Sequence, residues 1–105
     1  MFVGSITQAR KPEGYRQQTV STTAVALTSI PPAATYALIQ VEAQAIRTRD
    51  DGTVPTSSVG MPYAAVSFIE LSSRRMINQF RAIRSGGADA TLNISYYSAD
   101  KKAYA

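Results

Sequence analysis

The sequence contains no cysteine, no histidine and no tryptophan. Without cysteine there is neither a disulfide nor a thiolate metal site, and the redox compartment is left unmarked. Without histidine the commonest general base and the commonest metal ligand are gone. Charge is also scarce. Charged residues make up 17% of the chain, where a typical soluble domain carries roughly 25%. Ser, Thr, Ala and Gln fill the shortfall, which gives a lightly charged surface suited to lying against other protein. The net charge is +4, from 11 basic and 7 acidic residues. The basic residues are scattered, as on a solvated surface and unlike a nucleic-acid footprint. No stretch approaches the ~18 consecutive apolar residues of a membrane span. The start, MFVGSITQARK, lacks the apolar run of a signal peptide. The expectation is a soluble chain made in the cytoplasm, without a membrane partner.

What is present is alternation. The chain has 105 residues, enough for one domain burying about two-thirds of the surface its unfolded form exposes. In TYALIQVEA, Ala37, Ile39, Val41 and Ala43 share one face, opposite Tyr36, Leu38, Gln40 and Glu42. This is the period-two pattern of a strand with an apolar inner face. TLNISYY repeats it, with Leu92, Ile94 and Tyr96 opposite Thr91, Asn93, Ser95 and Tyr97. Shorter segments of strand type are QQTVST, AVALTSI, QAIRTR, AAVSFIEL and FRAIR.

Turn residues separate these runs. Lys11-Pro12-Glu13-Gly14 places Pro and Gly where a reverse turn wants them. Pro31-Pro32 cannot lie in a central strand. Asp51-Gly52 and Gly86-Gly87 read as hairpin turns, since both central residues of a type I′ turn take positive φ. Asp51→Ala combined with Gly52→Val is therefore expected to disrupt folding more than any surface change. SSRRMINQFRAIR fits two patterns. Met76, Ile77, Phe80 and Ile83 would share a helical face, whereas Met76, Asn78, Phe80 and Ala82 would share a strand face. A strand over FRAIR after a helical turn at SSRR is preferred. The fold class expected is an all-β antiparallel sandwich, jelly-roll-like, of seven or eight strands with little helix. Polar arms are expected at about 1–12 and 98–105.

The stretch RTRDDGTVPTSSVG offers three kinds of chemistry. A phosphate loop needs a Lys and a following helix, and neither is present. A calcium loop needs several alternating oxygen ligands over about 12 residues, and only Asp50 and Asp51 are available. Glu42 and Glu70 could form a carboxylate pair across strands, but solvated strand faces account for them better. No Gly-x-Ser-x-Gly accompanies the serines. An oligonucleotide-binding barrel would use Tyr96, Tyr97, Arg81 and Arg84, yet adjacent tyrosines point to opposite faces. What remains is a built corner. Arg47 and Arg49 project from one strand face, Asp51-Gly52 reverses the chain, and Pro55 and Gly60 shape the return. An Arg fork beside an Asp suits an internal lock or a charged subunit contact. No enzyme activity, cofactor or metal is expected.

The succession ALIQVEAQAIRTRDDGTVPTSSVGMPY, followed by FRAIRSGGADATLNISYY, resembles a group of small virion-associated β-sandwich proteins of tailed bacteriophages. The shared features are Arg-x-Arg, an Asp-Gly turn, Pro-Thr, a Gly, a short Phe-containing strand and a closing Tyr-Tyr. The resemblance covers roughly Ala24 to Tyr97. One extra residue stands between the second Arg and the Gly turn, and AAVSFIELSSRRM matches weakly. The resemblance implies a virion structural protein, a capsid decoration (cement) protein that bridges neighbouring subunits. Head–tail connector or tail accessory protein is the alternative within that group. A carbohydrate- or nucleic-acid-binding β-module is the alternative of another class. The partners implied are the major capsid protein or other virion proteins, and further copies of this chain in a homo-oligomer. Phe2, Val3, Arg10 and Lys11 on the N-terminal arm are the candidate partner contacts.

Overall fold

A computed structural model describes residues 9–100 of the chain. Eight strands and one short helix follow in order: β1 (Arg10–Val20), β2 (Val25–Ala26), β3 (Tyr36–Glu42), β4 (Ile46–Arg49), β5 (Met61–Tyr63), β6 (Phe68–Leu71), α1 (Arg74–Gln79), β7 (Arg81–Arg84) and β8 (Ala90–Ala99). They form two four-stranded sheets of order β1-β8-β3-β6 and β2-β7-β4-β5. Every pairing is antiparallel. The pairs β1·β8, β2·β7, β3·β6 and β4·β5 match first strand to last, second to seventh, and so inward. The chain is thus one long hairpin bent into two sheets, with β8·β3 and β7·β4 closing the bends.

The alternation read in the sequence decides which faces meet. Ala37, Ile39 and Val41 of β3 are buried, as are Leu92, Ile94 and Tyr96 of β8. These central strands of the first sheet share one core with Ile46 of β4 and Ala82 of β7 from the second. Ala43 departs from the expected inner face. It is exposed and takes φ 79°, which ends β3 at Glu42.

Three turn expectations are corrected. Lys11-Pro12-Glu13-Gly14 is not a reverse turn but lies within β1, where a bulge shifts the register between Pro12 and Gly14. A proline is tolerated there because β1 is an edge strand. Gly86-Gly87 is not a hairpin turn. It joins β7 of the second sheet to β8 of the first, and neither glycine has positive φ. Asp51-Gly52 is not a two-residue turn either, since β4 and β5 are joined by the whole loop 50–60 and only Gly52 of the two has positive φ.

The arms are also shorter than expected. Arg10 to Pro12 pair with Ala99 to Tyr97, so residues 10–12 and 98–99 belong to the sheet. Their ends are pinned by Arg10, whose guanidinium sits 3.7 Å from the Tyr36 ring centre, and by a 2.6 Å bond from the Ser98 hydroxyl to Glu13. The Asp100 N–H adds a backbone bond to the Ala9 carbonyl at 2.9 Å. Phe2, Val3 and the rest of 1–8 and 101–105 lie outside the described residues.

The ambiguous segment divides. Arg74–Gln79 is helical, with Ser73 as N-cap accepting from the Met76 N–H at 3.2 Å. A side-chain oxygen in that position satisfies one of the first-turn donors. Phe80 then leaves the helix with ψ 134° and the chain continues as β7.

Tyr96 is fully buried and its hydroxyl has no hydrogen-bond partner among the described residues. Burial raises its pKa above the ordinary tyrosine value. A hydroxyl stripped of water without a partner costs on the order of 1–3 kcal/mol. Tyr96→Phe should therefore stabilise the fold by roughly 1 kcal/mol in urea denaturation. Loss of stability in this variant would show that the hydroxyl is bonded.

Candidate interaction site

The corner is built on β4, held between β7 and β5. Alternation buries Ile46 and Thr48 and turns Arg47 and Arg49 outward, as the sequence reading has it. Arg47 reaches along the sheet and donates from Nη1 to the Gly60 carbonyl at 2.8 Å. Its Nε is buried without a partner among the described residues. Arg49 meets Asp51 as a two-pronged fork, Nε to Oδ1 at 3.1 Å and Nη2 to Oδ2 at 2.6 Å. The Thr53 N–H adds a bond to Oδ1 at 3.2 Å.

The return of the loop is equally fixed. Thr56 and Val59 exchange backbone bonds at 2.9 and 3.3 Å. The Thr56 hydroxyl also accepts from the N–H groups of Ser58 and Val59. Pro55 is buried against the corner. Gly60 has φ 142°, and a Cβ there would lie 3.0 Å from the Thr48 carbonyl oxygen, 3.1 Å from Pro55 Cβ and 3.3 Å from Arg47 Cβ. Four of the six expected residues therefore form two bonded pairs, Arg47 with the Gly60 carbonyl and Arg49 with Asp51. Pro55 packs against Gly60. Gly52 stands apart, near nothing closer than a Gln79 nitrogen 4.0 Å from its would-be Cβ.

The fork sets the electrostatics. Hydrogen bonds from Arg49, then the Thr53 N–H, hold the Asp51 carboxyl down to about 2. A carboxylate whose folded pKa lies below its unfolded value, ordinarily near 3.9, stabilises the fold above that unfolded value. The contribution is lost as pH falls from about 4 toward 2. An NMR titration of the Asp51 carboxyl carbon should show a midpoint near 2, moving up toward the ordinary value in Arg49→Ala. An unshifted midpoint in the variant would mean that the fork does not form in solution.

The sequence reading missed what this locked loop displays. Val54, Val59 and Met61 are each more than half exposed. A shallow cleft of about 230 Å³ lies beside them, lined by Thr48, Arg49, Asp50, Asp51, Gly60 and Met61. The signal was in VPTSSVGM, where apolar residues flank the turn formers instead of avoiding them. β5 itself carries Pro62 opposite Arg47, which removes one donor from the sheet edge.

The other candidates are spread apart. Glu70 sits opposite Leu38 and bonds the Tyr36 hydroxyl, whereas Glu42 lies four residues along β3 and accepts from Asn93 at 2.8 Å. At ~3.4 Å per residue they are roughly 14 Å apart, too far for a carboxylate pair. Arg81 bonds the carbonyls of Asn78 and Phe80, and Arg84 pairs with Asp89 at 2.8 Å. Lys11 lies 3.8 Å from Glu13. Among the described residues, no group of three or more metal-ligating side chains converges, and no helix is long and apolar enough to cross a membrane. Comparison with protein-family models, with curated proteins and with solved structures found no match.

Proposed function

We propose that this chain is a structural protein of a bacteriophage particle, a capsid decoration protein that bridges neighbouring subunits and works in several copies. The observation that carries the reading is the corner, where a hydrogen-bonded loop holds Val54, Val59 and Met61 out in solvent. Exposed apolar side chains on a pre-ordered loop lose little entropy on docking, so more of their burial is retained as affinity.

The fold supports the same reading. We read the two sheets as a jelly-roll sandwich, a reading supported by the orders β1-β8-β3-β6 and β2-β7-β4-β5, which are those expected of a rolled hairpin. That architecture is used in viral capsid domains, although fold alone assigns no role. Of the edge strands, β1 is the longest and its outer side pairs with no strand among the described residues. An unpaired edge of this length is a template for another chain. On a lattice, many weak contacts of this kind add up because each subunit engages several sites.

Val54→Ser, Val59→Ser and Met61→Ser combined should leave the circular dichroism spectrum unchanged and lower the copies bound per purified particle. Full occupancy by this variant would remove the corner from the interface. Removing residues 1–8 is the clean test of the N-terminal arm, because a cut after Lys11 would take the first residues of β1.

A further inference from the structure

The outer face of the first sheet carries a set of residues that the corner does not use. The registers of β1, β8, β3 and β6 place them in two rows. Gln17, Asn93, Gln40 and Phe68 lie side by side, and Tyr15, Ser95, Leu38 and Glu70 form the next row. Tyr15 and Phe68 are each more than half exposed, at opposite edges of the sheet. Three inter-strand spacings of ~4.8 Å put them about 15 Å apart. Between them is a cleft of about 280 Å³ lined by Tyr15, Leu38, Gln40, Phe68, Asn93 and Ser95.

We propose that this cleft binds a short neutral oligosaccharide, with Tyr15 and Phe68 as stacking platforms and Gln40, Asn93 and Ser95 as hydrogen-bonding groups between them. Two aromatic faces flanking uncharged amides and a hydroxyl match a ligand that alternates apolar ring faces with hydroxyl groups. The Gln40 amide and the Ser95 hydroxyl make no side-chain hydrogen bond among the described residues, so their donors and acceptors are open to a ligand. Asn93 is fixed in place. Its Oδ1 accepts from the Tyr15 hydroxyl at 2.7 Å and from Gln17 at 2.9 Å, and its Nδ2 donates to Glu42. One Nδ2 hydrogen remains for a ligand. The same bond orients the Tyr15 ring.

Charge argues for a neutral sugar. The carboxylates on this face are Glu42, held by Asn93, and Glu70, held by Tyr36. Arg10, at the far end, lies over the Tyr36 ring. Among the described residues no cation lines the cleft itself, so an anionic glycan would meet Glu42 and Glu70 without a counter-charge from them. This inference does not rest on the virion reading, and either can fail alone.

The test is titration of the full-length protein, followed by two-dimensional NMR of backbone amides. The probes are maltotriose, cellotriose, chitotriose and galactobiose, with trigalacturonate as the charged control. The expected result is saturable shifts at residues 15, 40, 68, 93 and 95 with at least one neutral probe. Tyr15→Ala and Phe68→Ala should each weaken that binding by roughly tenfold, with resonances away from this sheet face unmoved because both rings are exposed. Absence of saturable shifts with every neutral probe overturns the proposal. So does unchanged affinity in both aromatic variants, or equal binding of trigalacturonate. Conversion of an oligomer to a monomer by Phe68→Ala, without sugar shifts in the parent, would assign the face to a protein contact instead.

Discussion

Gly60→Ala is expected to lower the stability of the domain by about 3 kcal/mol, the sum of a strained backbone and a crowded Cβ. The φ of 142° is one that residues with a side chain rarely adopt. The added methyl would meet Thr48 oxygen at 3.0 Å and Pro55 and Arg47 at 3.1 and 3.3 Å. Two of those three neighbours cannot move cheaply, since one is strand backbone and the other is a buried proline ring. For a domain of this size the melting temperature should fall by roughly 15 °C. Gly87→Ala is the control. Nothing lies within 4 Å of its would-be Cβ and its φ is not positive, so it should change stability by less than about 0.5 kcal/mol. Equal melting temperatures for the two variants would refute the geometry of the corner.

Phe80→Ala should cost still more, about 4 kcal/mol, against a total of roughly 5–15 kcal/mol for a domain. Phe80 is 1% exposed and stands where α1 hands over to β7. It packs with Ile69, Leu71, Ile77 and Ala82 in one core. Truncation would leave a void that strands on both sides cannot collapse to fill, because each is fixed by its own ladder. Urea denaturation measures it directly. A loss under about 1 kcal/mol would show that the helix-to-strand junction packs elsewhere.

Phe80 also shows how far the sequence could be read. Both the helical and the strand pattern in residues 72–84 placed it inside, so its burial was legible while its conformation was not. The Ser73 cap and the four residues of β7 divide a segment in which each pattern is right for half its length. β3 and β8 were legible almost residue by residue, because a strand buried on one face must alternate. The turns misled where a local signal met a long-range partner. Lys11-Pro12-Glu13-Gly14 has turn chemistry, yet pairing with β8 absorbs it as a bulge. Gly86-Gly87 reads as a hairpin, but the strands it joins lie in different sheets.

At the corner, Arg47, Arg49 and Asp51 were legible because a strand face and a turn lie within five residues of each other. The contribution of Gly60 was recognised as shaping the return, but its contact with Thr48 and Pro55 depends on how β5 docks. The cleft on the first sheet was hidden for the same reason. Tyr15, Gln40, Phe68 and Asn93 come from four strands, and only the sheet order brings them together.

The proposed virion role is tested most directly by cryo-electron microscopy of virus particles purified from cells that express the chain, with mass spectrometry of the same preparation. The chain should appear in many copies on the shell, with Val54, Val59 and Met61 covered by neighbouring subunits. A chain found only in the particle-free fraction, or bound with loop 50–60 facing solvent, would contradict it.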